Sequence, residues 1–272
     1  MGVVMRLSMA AAAALGAIVL SGAAFLGPAA AAAVAAVVIC VIAWGWPRQL
    51  GAPARLSLTI TLAVTGLVGV VLNLVWRAAG FDLHGPLGLF EPMAVVAAWG
   101  VMAAFIVQLV RGTGRPLRLE STVGTMGGVM IVVMTSGWVA IAQWNDHPLA
   151  HVLLFTLGAA VALCSLVGLM PALQGRPGLL AGIIVPLAFT VALAVTELMG
   201  SEPRKIMLAC LAAVTASILG ALTAATAPSA RPRHEDRPIA TTARPRRAGF
   251  ALAMAPVGAA GVIGHVMLAF MG

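Results

Sequence analysis

Four polar side chains lie within long apolar segments of this chain: Asn73, Glu91, Glu197 and His265. In a bilayer, an ionisable or amide side chain is costly unless it is paired or hydrated, so each is a candidate for binding a polar solute. The opposite half of these segments contains no ionisable residue, and Gln108 is its nearest polar residue. A proton-coupled carrier needs titratable groups near the bilayer midplane. The pattern therefore argues against proton coupling and permits passage of a neutral solute.

The elements that must position these groups are apolar segments of about 20 residues, the length of a membrane-spanning helix. We predict an all-α, polytopic transmembrane bundle of nine spans: residues 7–26, 28–46, 57–76, 87–110, 121–143, 149–170, 178–199, 206–227 and 249–271. If the N-terminus is cytoplasmic, all four polar residues fall in the outer half of their spans, at ~1.5 Å of rise per residue.

Two interpretations of these four residues stay open. In the first, they converge in the outer leaflet and form a polar binding pocket open to the outside. In the second, they are separate interfacial groups. Glu91 and Glu197 would then reach head-group water, and Glu197 would pair with Arg204 or Lys205. His265 would simply bond to a carbonyl of a neighbouring helix.

The composition excludes an ordinary soluble domain. Hydrophobic residues make up 61% of the chain, charged residues make up 9%, and the mean hydropathy is +1.06. An average soluble domain is about 25% charged. The net charge of +8 lies on short loops beside apolar spans, which indicates membrane insertion and no nucleic-acid partner.

The basic residues predict which side of the membrane each loop occupies. Thirteen of the sixteen Lys and Arg residues fall in alternate gaps, and only Arg77, Arg204 and Lys205 fall in the others. This asymmetry predicts a multi-pass protein of the bacterial plasma membrane, with a cytoplasmic N-terminus and an extracytoplasmic C-terminus. The first span has an alternative interpretation, because Arg6 and the Ala-rich run before Gly27 are also typical of a cleaved signal peptide, which would leave eight spans.

The domain organisation follows from one polar segment. Residues 228–248 are rich in Pro and Arg and cannot build an apolar core, which predicts a cytoplasmic linker. It separates a bundle of eight spans, 1–227, from a final transmembrane helix, 249–272. The linker either contacts anionic lipid head groups or only orients the last span. Membrane lipids are the partners that the sequence implies, and no protein partner is indicated.

A faint internal repeat predicts further symmetry. The turns at 47–53 and 171–177 both fit P-x-x-x-G-x-P, at an offset of 124 residues from Pro47 to Pro171. The same offset places Asn73 opposite Glu197. This is the pattern of one helix followed by two parallel four-helix repeats. The alternative is chance, because Pro and Gly are common in turns.

No catalytic motif, cofactor motif or convincing metal site is found. The three cysteines, Cys40, Cys164 and Cys210, stand alone in separate spans, as small apolar residues do. His147 and His151 have a spacing that could hold a metal, but no third ligand follows in sequence, so interfacial anchoring is favoured.

The segments GWPR at 45–48 and GRPLRLES at 114–121, the latter leading into a Gly-rich span with Trp138, resemble an uncharacterised family of actinobacterial multi-span membrane proteins. The resemblance is confined to short stretches. It implies a bacterial plasma-membrane protein and no particular activity.

Three classes of function remain at this point. A permease for a small solute is favoured by the span count and the possible duplication. An accessory subunit of a membrane assembly is the alternative. A lipid- or envelope-modifying enzyme is less favoured, because the acidic residues predicted for the cytoplasmic side, Glu120, Glu235 and Asp236, form no pair suited to hold Mg²⁺.

Overall fold

The computed structural model describes residues 3–50, 55–76, 79–80, 88, 90–110, 118–167, 177–198, 200, 202–226 and 245–271. Ten α-helices make up nearly all of this part of the chain. They are α1 (Val3–Leu26), α2 (Pro28–Gln49), α3 (Arg55–Trp76), α4 (Phe90–Val110), α5 (Arg118–Thr135), α6 (Gly137–Ala142), α7 (Pro148–Val167), α8 (Pro177–Leu198), α9 (Pro203–Thr226) and α10 (Pro245–Met271). The all-α architecture predicted from the sequence is confirmed.

Seven helical stretches within the described residues are long and apolar enough to cross a membrane. They are Leu7–Leu26, Pro28–Gln49, Arg55–Trp76, Phe90–Val110, Ser121–Ala142, Leu149–Val167 and Gly249–Ala269, with a shorter apolar stretch at Gly182–Leu198 in α8. The chain is therefore suited to a multi-pass membrane protein.

Proline residues mark the first positions of several helices. Five helices begin at a proline: Pro28, Pro148, Pro177, Pro203 and Pro245. The first position of a helix suits proline, because an N–H there has no intrahelical acceptor. Between α1 and α2 the chain reverses at a single residue, Gly27, whose φ of 127° is available to glycine and strained for other residues.

One predicted span is not a continuous helix. The span 121–143 consists of α5 and α6, which are interrupted at Ser136. There three-residue hydrogen bonds appear: the Ser136 N–H donates to the Val133 carbonyl at 3.0 Å, and the Ser136 carbonyl accepts from the Val139 N–H at 3.0 Å and also from the Ala140 N–H at 3.2 Å. A tightened turn inside a transmembrane helix is tolerated where protein surrounds it.

The last helix lies among the others. α10 packs against α1, α2, α5, α6, α7 and α9. It approaches α6 closely, since a Cβ added at Gly137 would lie 2.5 Å from the Val262 nitrogen. Small residues permit this contact between helix backbones, which is the usual basis of helix association in lipid. By contrast, α4 packs chiefly with α3 and α5, and α8 packs chiefly with α7 and α9.

The structure describes only part of the predicted repeat and of the predicted linker. Within spans two to five, the second and fourth helices, α3 and α5, are in contact. Within spans six to nine, the first and third helices, α7 and α9, are in contact, so the two sets of four spans do not share this pairing. The two matching turns lie largely outside the described residues. The predicted linker, 228–248, also lies outside them up to residue 244, and α10 begins at Pro245.

Candidate functional site: a buried polar cluster at the interrupted helix

The polar cluster of the bundle centres on Asn73 and Ser136. Both side chains are fully buried, at 0% exposure, although Asn73 belongs to α3 and Ser136 lies at the interruption between α5 and α6. The Asn73 Nδ2 group donates to Ser136 Oγ at 3.0 Å and to the Gly69 carbonyl at 3.0 Å. Ser136 Oγ in turn donates to the Val133 carbonyl at 2.7 Å. The interrupted turn and α3 are thus joined by a chain of hydrogen bonds.

One atom of this cluster has no partner. Asn73 Oδ1 is buried and accepts no hydrogen bond from the described residues. The Gly69 carbonyl fixes the orientation of the amide, because only the NH₂ group can donate to it. Leaving such an acceptor unpaired in a buried place costs about 1–3 kcal/mol. The cluster therefore contains an acceptor suited to a hydrogen-bond donor from outside the chain.

Gln143 completes the cluster from the end of α6. Its Nε2 group donates to the backbone carbonyls of Asn73, at 2.8 Å, and of Leu74, at 3.1 Å. These carbonyls are among the last four of α3, and the last four carbonyls of a helix accept no hydrogen bond from within that helix. Gln143 thus caps α3 and fixes α6 beside it.

His265, the other buried candidate, belongs to α10, which also packs against α6. It is fully buried, and its ring contacts that of Phe90 with centroids 4.6 Å apart and planes at 49°. Both α3, which contains Asn73, and α10, which contains His265, pack against α6. Phe90 begins α4 and precedes Glu91, so the contact also brings the start of α4 close to α10.

The two candidate carboxylates, Glu91 and Glu197, lie on helices that have different neighbours. Glu91, in the first turn of α4, and Glu197, in the last turn of α8, are both exposed. Lys205, one of the partners proposed for Glu197, forms an ion pair with Glu202 at 3.6 Å. Because α8 packs chiefly with α7 and α9, the structure does not bring Glu197 to the cluster around Asn73. The four-residue pocket stays a prediction, and its buried members are Asn73 and His265.

The opposite half of the bundle contains a second buried amide. Gln108 is 2% exposed, and its Nε2 group donates to Ser121 Oγ at 2.8 Å, which joins α4 to the start of α5. Nearby, the Trp46 Nε1 group donates to the Gly124 carbonyl at 2.8 Å. These bonds serve to hold helices together.

His151, near the start of α7, and Asn145 contact the last turn of α1. His151 Nε2 lies 3.1 Å from Asn145 Oδ1, and the Asn145 Nδ2 group donates to the Phe25 carbonyl at 2.6 Å. The rings of Phe25 and His151 are 4.8 Å apart. Within the described residues, no group of three or more His, Cys, Asp or Glu side chains is placed to hold a metal ion.

Sequence reasoning missed Ser136 and Gln143, which complete the cluster. A signal for Ser136 was present, because Thr135, Ser136 and Gly137 are three successive residues with low helix propensity inside an apolar span. Gln143 was placed at a span end, where an amide needs no explanation.

Comparison with protein-family models, with curated proteins and with solved structures gives no match for this chain. The class that the fold and the cluster define is a polytopic helical membrane protein with a buried, partly unsatisfied polar site.

Proposed function

We propose that this chain is a permease-like protein of the bacterial plasma membrane that passes a small, neutral, hydrogen-bonding solute. In this proposal it crosses the bilayer nine times, with α8 and α9 as the seventh and eighth spans, a cytoplasmic N-terminus and an extracytoplasmic C-terminus. The thirteen-to-three distribution of basic residues supports the orientation.

One observation carries the proposal: the buried Asn73 Oδ1 has no partner among the described residues, and it lies at an interruption of a membrane-spanning helix. Discontinuous helices in transporters place backbone and side-chain polar groups at the substrate site. A solute N–H or O–H that donates to Asn73 Oδ1 would remove the cost of the unpaired acceptor.

The chemistry around Asn73 favours a neutral solute. The neighbouring groups are an amide, a hydroxyl and backbone carbonyls, and a fixed charge would find no counter-charge among them. A small neutral molecule needs only hydrogen bonds to replace its hydration. In the proposal, His265 of α10 and Glu91 at the start of α4 line the outer approach to Asn73.

An accessory subunit of a membrane assembly is the second candidate. Glu91 and Glu197 are exposed on α4 and α8, which pack against different helices. Their exposure favours the accessory role, because exposed carboxylates at helix ends suit contact with a partner protein. An enzyme is less favoured, since the described carboxylates form no paired set.

The test is solute flux into proteoliposomes that contain the purified chain, measured by light scattering after an osmotic jump with urea or glycerol. Asn73→Leu should lower the flux about five- to tenfold, as expected for the loss of a hydrogen bond worth about 1–1.5 kcal/mol. Gln108→Leu is the matched control, because it removes a buried amide of the opposite half and should leave the flux unchanged. If the flux of urea and the flux of glycerol both equal those of empty liposomes, the permease function is excluded and the accessory role remains.

A further inference from the structure

The outward face of α2 carries a shallow apolar groove that is separate from the polar cluster. The groove is lined by Ala36, Val37, Cys40, Val41 and Trp44. Val37 and Trp44 are 63% and 48% exposed, and Cys40 is also exposed. At ~1.5 Å per residue the groove runs for about 12 Å along the helix. This length is comparable with one leaflet of a hydrocarbon core about 30 Å thick.

A basic side chain stands at one end of the groove. Arg48 lies one helical turn beyond Trp44, and its guanidinium carbon is 5.6 Å from the centre of the Trp44 ring. Its Nη1 group also donates to the Trp44 carbonyl. The cation–π contact and the hydrogen bond hold the guanidinium beside the groove. A guanidinium has five N–H donors in a planar fork whose geometry matches phosphate oxygens.

The surrounding charge is strongly positive. α3 begins at Arg55 beside the end of α2, and the N-terminus of a helix adds a partial positive charge. In the sequence, Arg111 and Arg115 lie between α4 and α5, and the first turn of α5 adds Arg118 and one carboxylate, Glu120. The exposed acidic side chains that the structure describes all belong to the opposite end of the bundle: Glu91, Asp146, Glu197 and Glu202. Charge complementarity therefore favours an anionic ligand over a zwitterionic one.

We propose that the α2 groove is a binding site for one anionic phospholipid. An acyl chain lies along Val37, Cys40 and Trp44, and the lipid phosphate binds Arg48, with Arg55 adding to the local potential. Tryptophan and arginine side by side are suited to the depth where acyl chains meet head groups. The inference does not depend on transport, and its failure leaves the permease proposal untouched.

Brominated lipids test the site directly, because bromine quenches tryptophan fluorescence only at close range. The full chain is placed in phosphatidylcholine vesicles that contain a minority of dibrominated phosphatidylglycerol or, in parallel, dibrominated phosphatidylcholine. Subtracting the signal of Trp44→Phe isolates the quenching at the groove. We expect the anionic lipid to quench Trp44 about fivefold more effectively, the gain given by one basic residue near a membrane surface.

Variants at the mouth of the groove identify the cause. Arg48→Gln should bring the ratio close to one, and Arg48→Lys should retain most of it, because it keeps the charge. Arg204→Gln is the matched control, since Arg204 is an exposed arginine at the opposite end and should leave the ratio unchanged. If Arg48→Gln does not fold, Ala36→Leu serves as the second variant, which narrows the groove and should reduce quenching by both lipids.

Three outcomes would overturn the inference. Equal quenching by the two lipids in the unmodified chain would show that the groove does not select anionic lipid. An unchanged ratio in a folded Arg48→Gln variant would remove the assigned phosphate contact. Protection of Trp44 from both lipids would show that another protein chain covers the groove.

Discussion

The indole Nε1 group of Trp138 donates to the backbone carbonyl of Val257 at 2.8 Å. This bond joins the short helix α6 to α10 one residue beyond Pro256, where the ring of the proline removes an N–H donor from the helix. A Cβ added at Gly261, one turn further on, would lie 2.5 Å from Trp138 Cδ1. The indole therefore fills the space that Gly261 leaves, and it fixes the interrupted span against the last helix.

Trp138→Phe should destabilise the protein by about 1–3 kcal/mol, because it leaves a buried carbonyl with one bond fewer and opens a gap beside Gly261. Thermal unfolding in detergent measures the change. Trp99→Phe is the control, since Trp99 is 65% exposed on α4 and its replacement should have little effect. Equal losses in both variants would contradict the structural role of the Trp138 bond.

Gly137→Ala should destabilise the contact of α6 with α10. The added methyl group would lie 2.5 Å from the Val262 nitrogen and 2.6 Å from the Gly261 carbonyl carbon, and backbone atoms cannot move aside as a flexible side chain can. Overpacking of this kind costs about 1–3 kcal/mol. Gly22→Ala meets nothing within 4 Å and should be neutral or stabilising, because alanine favours the helix. A neutral Gly137→Ala variant would show that the two helices are not in close contact.

The helical class and most helix bounds could be predicted from the sequence because apolar length and proline position are local signals. The span predicted over 57–76 corresponds to α3, Arg55–Trp76, and that over 178–199 corresponds to α8, Pro177–Leu198. The interruption at Ser136 was missed although Thr135, Ser136 and Gly137 have low helix propensity, and the bond that it receives from Asn73 follows only from packing. Trp138 is fully buried and bonds to α10, a contact that the apolar pattern of its own span does not reveal.

The candidate site was predictable in part for a similar reason. Asn73 and His265 could be selected because a polar residue within an apolar span is visible in the sequence, and both are buried. Nothing in the sequence tells which helices are neighbours, so Glu197 could not be separated from them in advance. The partners Ser136 and Gln143 depend on the position of α6, which follows from tertiary packing.

The first helix should remain in the mature protein. α1 packs against α2, α7 and α10, and the Asn145 Nδ2 group holds its last turn through the Phe25 carbonyl. A cleaved signal peptide would forfeit these contacts. Intact-mass measurement of the purified protein should therefore include residues 1–26, whereas a mass that begins near Gly27 would establish cleavage and leave the bundle with one span fewer.

A reporter fused after Gly272 should be active in the extracytoplasmic compartment. The alternation of loops rich in basic residues with loops that contain few predicts this orientation through nine crossings. A matched fusion within 228–244 should report the cytoplasm. Cytoplasmic activity of the fusion after Gly272 would require an even number of crossings, so one of the spans would then not cross.

The central place of α10 has a consequence for biogenesis. This helix follows all of its six neighbours along the chain, so α1, α2, α6 and α7 leave the translocon before the surface that they share is available. The buried faces of these earlier helices, including Gly137 and Trp138, must stay in lipid or be held by an insertion chaperone until α10 arrives. Translation stopped near residue 226 would then yield an assembly intermediate that membrane quality-control proteases can recognise. Insertion of α10, and not that of any earlier span, would be the event that commits the bundle to its native packing.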